Sequence, residues 1–78
     1  MVEVFKTNVT NNHQAQDLVD VIQYHFRDYK VNFDLDDCDH ILRIECNREV
    51  AIDPMILFLS AMGVDAEVLA DETPLIII

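Results

Sequence analysis

Two short runs of this chain alternate between apolar and polar side chains: Val31-Asn32-Phe33-Asp34-Leu35 and Leu42-Arg43-Ile44-Glu45-Cys46. No other feature constrains the fold as much. An extended chain sends successive side chains to opposite faces, so each run predicts a strand with one buried face. Between them Asp36-Asp37-Cys38-Asp39-His40 is a polar turn, and the pair forms a hairpin with an acidic tip. Neither strand can bury its apolar face alone. The cover must come from elsewhere in the chain.

Two segments can supply it. From His13 to Asp28 the apolar residues Ala15, Leu18, Val19, Ile22 and Phe26, with Tyr29 just beyond, recur at steps of three and four. That spacing predicts a helix with one buried stripe. Asn11 or Asn12 is its cap, and Arg27 and Lys30 suit the negative end of its dipole. A second helix is predicted from Asp53-Pro54 to Met62. Asp53 caps it, Pro54 occupies the first turn where its missing N–H is not needed, and Gly63 ends it. Val2 to Val9 reads as an opening strand and Val64 to Leu69 as a closing one.

The order strand, helix, strand, strand, helix, strand predicts an α+β protein, a ferredoxin-like βαββαβ two-layer sandwich. Its antiparallel four-stranded sheet carries both helices on one face. The expected core contains Val4, Leu18, Ile22, Phe33, Leu42, Ile44, Ile56 and Leu59. The length, 78 residues, suits one domain over residues 1–70, with 71–78 as an apolar C-terminal tail.

Composition narrows the function. The formal net charge is −10, which repels phosphate backbones and argues against nucleic acid as a partner. No run approaches the roughly 18 apolar residues of a spanning helix, and no secretory signal precedes the first strand, so the expected setting is the cytoplasm. One glycine leaves no glycine-rich phosphate loop. The single serine, Ser60, falls inside the second helix, away from any turn that would present a nucleophile, and no Asp precedes it as a carrier protein requires. Asp34, Asp36, Cys38 and Glu45 resemble part of a calcium loop, but Asp39 stands where that loop needs glycine. Cys46 alternates with Leu42 and Ile44 as a buried residue. Cys38 and His40 are two donors, too few for a metal site. The expectation is a protein that is not an enzyme and carries no cofactor.

The segment Phe5-Lys6-Thr7-Asn8-Val9 before a loop and an amphipathic helix resembles the heavy-metal-associated domain of copper chaperones and metal-pumping ATPases. Val31 to Leu35, Ile41-Leu42-Arg43-Ile44, the spacing of Ile56, Leu59 and Gly63, and Ala66-Glu67-Val68-Leu69 extend the likeness over roughly residues 2–70. The resemblance implies the same fold and a metal loop before the first helix. That family binds a soft metal there with two thiolates, Cys-x-x-Cys. Here the two positions are Asn11 and Gln14, with His13 a lone imidazole between them. Neutral amides are poor ligands for Cu(I) or Zn(II). The resemblance thus implies the scaffold and argues against the metal.

Two function classes follow, with a third as a variant. The first is a non-catalytic interaction or assembly module with a protein partner or a second copy of itself. The alternatives are a small-molecule sensor of the ACT kind, or a metal carrier using ligands other than cysteine. An interface is expected on the second helix and tail. With Ile56 at the centre of the buried stripe and about 100° per residue, Phe58 lies about 200° away and Ala61 about 140° away. Both then face outward, with no helix behind Phe58. Leu75, Ile76, Ile77 and Ile78 form an apolar run after Pro74 that suits an added strand or an intermolecular contact.

Overall fold

In a computed structural model that describes residues 1–69, the chain forms β1 (Val2–Thr7), α1 (Asn12–His25), β2 (Lys30–Asp34), β3 (Ile41–Glu45), α2 (Ile52–Ala61) and β4 (Ala66–Val68). The strands form one antiparallel sheet in the order β2-β3-β1-β4. This is the predicted α+β arrangement, compatible with a ferredoxin-like two-layer sandwich. Among the described residues, no helix is long and apolar enough to cross a membrane. Residues 70–78, including the expected contact run Leu75, Ile76, Ile77 and Ile78, lie outside the described residues.

Register decides which side chains meet the helices. Phe5 stands opposite Leu42 on one side and Val68 on the other, and Val31 stands opposite Ile44. Ala15, Leu18 and Ile22 of α1 and Met55 and Leu59 of α2 pack on that face in one cluster. The other face is mixed in charge: Lys30 pairs with Glu45, Lys6 with Glu67, and Arg43 lies between Asn32 and Val4.

The expected core is corrected at two positions. Val4 sits on the face away from the helices and is only half-buried; Phe5, one residue on, is fully buried instead. Both parities of β1 carry apolar residues, so alternation alone did not choose between them. In α2 the buried line runs through Met55 and Leu59, and Ile56 is half-buried at its flank. Phe33 is half-buried against the cluster, while Leu18, Ile22, Leu42, Ile44 and Leu59 are buried as expected.

The helix ends show which local signals prevailed. Asn11 caps α1 as predicted, but Phe26 closes it two residues before Asp28. The Phe26 ring stacks on Tyr29 at 5.2 Å, and buried Tyr29 turns the chain into β2. Asp53 does not cap α2. That helix begins at Ile52 after Ala51, which makes no side-chain cap bond. Tertiary contacts set its start: the Ala51 N–H donates to the Tyr29 hydroxyl at 3.0 Å. Val50 and Met55, at the two positions of a hydrophobic staple, are both buried in the core. Gly63 does close α2, with φ of 80°; its N–H donates to the Ser60 carbonyl and the Val64 N–H to that of Leu59. That pair of bonds is a Schellman motif, whose left-handed residue favours glycine.

Candidate functional site

The loop before α1 is where the family resemblance would place a metal. It is anchored by Thr7, a buried polar residue at the end of β1. The Thr7 hydroxyl donates to the His40 carbonyl at 2.6 Å and accepts from the Val9 N–H at 3.2 Å. The Thr7 N–H donates to the Asp39 carbonyl at 3.1 Å. Val9 is fully buried and holds the loop down. From the other side, the Asp65 N–H donates to the Asn8 carboxamide oxygen at 3.1 Å. Three connections therefore converge at one end of the sheet: the β1–α1 loop, the β2–β3 turn and the α2–β4 link.

That end is acidic. Asp36, Asp37 and Asp39 of the β2–β3 turn and Asp65 of the α2–β4 link belong to the connections at this end. Part of the acidity has a local explanation in turn chemistry. Asp34 Oδ1 accepts the Asp36 N–H at 3.2 Å, and Asp37 Oδ1 accepts the Asp39 N–H at 2.9 Å. Aspartate side chains that take backbone donors two residues on are what a tight turn selects. His40 closes it with φ of 48°, and its Nδ1 is buried with no hydrogen-bond partner among the described residues. Asp37, Cys38 and Asp39 bring three donor atoms within 4.8 Å of one another, an exposed cluster that this same turn assembles.

Asn11 and Gln14 meet here as expected, but their job is different. They occupy the cap and third positions of α1. Asn11 Oδ1 accepts the His13 N–H at 2.7 Å and the Gln14 N–H at 3.1 Å. The Asn11 carboxamide oxygen is thus committed to the backbone. The side chains of His13 and Gln14 are exposed. Cys38 is exposed in the turn and Cys46 is buried beyond the other end of β3, so the two thiols lie at opposite ends of that strand. Asn11→Ala should lower stability by about 1 kcal/mol through loss of the cap. Urea unfolding of the two proteins measures the difference; an unchanged midpoint would mean water satisfies those N–H groups equally well.

The second expected site, the outer face of α2, is rearranged. Phe58 is half-buried, not outward: its ring meets Phe26 edge-on at 5.4 Å and His25 at 5.3 Å. The C-terminal end of α1 does lie behind it. With Met55 at the centre of the stripe instead of Ile56, Phe58 falls about 60° from it, on the flank toward α1. Ala61 is exposed, and the large side chain that α2 sends outward is Leu57, at 70% exposure. Tyr24 of α1 is likewise 73% exposed. Residue pattern could not single out Leu57, because α2 is apolar nearly all round.

Comparison with protein-family models, curated proteins and solved structures finds no match.

Proposed function

We propose that this chain is a non-catalytic, acidic protein-interaction module of the cytoplasm, built on a scaffold of the heavy-metal-associated kind whose metal loop serves as a helix cap. One observation carries the reading. Position 11 carries a carboxamide in place of a thiolate, and its oxygen accepts two backbone N–H groups, so it offers neither a soft donor nor an uncommitted hard one. The net charge of −10 favours a protein partner over nucleic acid. The contact surface is the outer side of the helix layer, where Leu57, Tyr24 and Ala61 are exposed beside the rim of Phe58.

Titration of the tag-free full chain with Cu(I), Zn(II) and Ni(II) at neutral pH tests the loss of the metal. The expected result is no stoichiometric binding tighter than about micromolar, a free energy near −8 kcal/mol. A one-to-one complex at nanomolar concentration would overturn the proposal and return the chain to the metal carriers. The surface is tested with Leu57→Asp, preferred to Phe58→Asp because Phe58 supports the packing of α1 on α2. Leu57→Asp should change the unfolding free energy in urea by less than about 0.5 kcal/mol, as an exposed site does. A large loss of stability would mean that Leu57 is structural and is not a contact.

A further inference from the structure

We propose that β2 is an edge through which two copies of this chain pair, antiparallel and centred on Asn32, joining two four-stranded sheets into one. The inference rests on the interaction-module reading and goes beyond it, adding a second contact, the sheet edge, and naming its partner, a second copy.

Among the described residues, β2 is an outer strand of the sheet, paired with β3 alone. The direction of its free backbone groups can be read from a single contact. The Val31 N–H donates to Gln23 Oε1 of α1 at 3.3 Å, so it points away from β3. Backbone groups of an antiparallel strand alternate in direction, so the N–H and C=O of Phe33 point outward as well. A strand that presents its donors and acceptors this way is a template for another strand, unless something blocks it. The blocking device here is one long bond from an amide side chain, which an incoming strand can displace.

The sequence of β2 complements itself. Reversed about Asn32, the strand Lys30-Val31-Asn32-Phe33-Asp34 places Lys30 opposite Asp34 of the second copy, twice by symmetry. On the same face Asn32 meets Asn32. On the helix-side face Val31 meets Phe33, twice, and these are the residues whose backbone groups point outward. They form the hydrogen-bonded pairs of the new ladder, with four main-chain bonds in all. Opposite charges and apolar pairs directly across a ladder are each favourable. The apolar pairs also continue an existing groove. Between α1 and β2 lies an open cleft of about 310 Å³ whose lining interleaves Val19, Val31, Phe33 and Leu35 with the polar Asn12 and Gln16. A second copy would lengthen this mixed cleft along its β2 side.

The other outer strand is a poorer template. β4 has three residues, Ala66–Val68, and its central side chain is Glu67, which a second Glu67 would oppose in the matching self-pairing.

Sedimentation equilibrium of the full chain at about 0.15 M salt, where the screening length is about 8 Å, tests the proposal together with charge reversals. The native chain should show a monomer–dimer equilibrium. Lys30→Asp and Asp34→Lys each set like charges opposite one another twice, and each should raise the dissociation constant about tenfold. The double swap restores opposite charges and should return it toward the native value. Register is read separately: Asn32→Cys in a Cys38→Ser background should give a disulfide-linked dimer under mild oxidation. Non-hydrogen-bonded antiparallel partners have Cα atoms about 4.5 Å apart, within disulfide reach. A chain that stays monomeric to millimolar concentration overturns the inference. So does a dimer that is indifferent to the reversals, or an Asn32→Cys variant that does not cross-link. None of these outcomes bears on the metal titration, so the two proposals fail separately.

Discussion

Phe5→Ala should destabilise the protein by about 3–5 kcal/mol, the usual range for removing a fully buried phenylalanine. Phe5 is completely buried on β1, a central strand of the sheet, between Leu42 and Val68, with the helices packed above. Deleting the ring removes its contacts with neighbours on both flanking strands and leaves a cavity they cannot close without shifting the sheet. A domain of this size has about 4–12 kcal/mol of stability in all. The variant should therefore lose about a quarter or more of it, and in the weaker case be largely unfolded. Val4→Ala, one residue earlier, should change stability by less than about 1 kcal/mol, because Val4 lies on the face away from the helices. Urea midpoints of the two variants check the register of β1 directly. Equal losses would show that β1 is not in this register.

Cysteine at both Asn11 and Gln14 should create a Cu(I) site at the start of α1. Position 11 is the cap of α1 and position 14 lies three residues into the helix, so both side chains lie by its first turn. Free N–H groups and the helix dipole there lower a thiol's pKa, and thiolates are the soft ligands that Cu(I) selects. The expected gain over the native chain is at least about a thousandfold in affinity, ~4 kcal/mol. It comes with a loss of about 1 kcal/mol in stability, since the Asn11 cap is removed. The change is best made with Cys38→Ser, because Cys38 is exposed and would compete. Competition with a chelator of known Cu(I) affinity measures the gain. A folded double-cysteine variant that fails to bind Cu(I) would mean that the loop does not have the geometry of the metal-binding family, and that the resemblance is one of fold alone.

What the residues determined by themselves is the order and kind of every element. Alternation in Val31 to Leu35 and Leu42 to Cys46, the helical stripe from Ala15 to Ile22, the cap at Asn11 and the stop at Gly63 are short-range signals. Each acts through its own stretch of backbone, and each agrees with the structure. Three matters were settled only when the elements met. β1 carries apolar residues on both faces, and the helix layer chose Phe5 over Val4. The α2 segment Ile52 to Leu59 is apolar nearly all round, so no periodicity fixed its buried line. Packing against α1 drew Phe58 inward onto Phe26 and His25 and left Leu57 outside. The start of α2 moved ahead of Asp53 because the Tyr29 hydroxyl took the Ala51 N–H, and because burying Val50 with Met55 outweighed a side-chain cap. Such outcomes depend on contacts between segments far apart in the chain. Where local preference is nearly neutral, the larger apolar area buried in the assembled core decides.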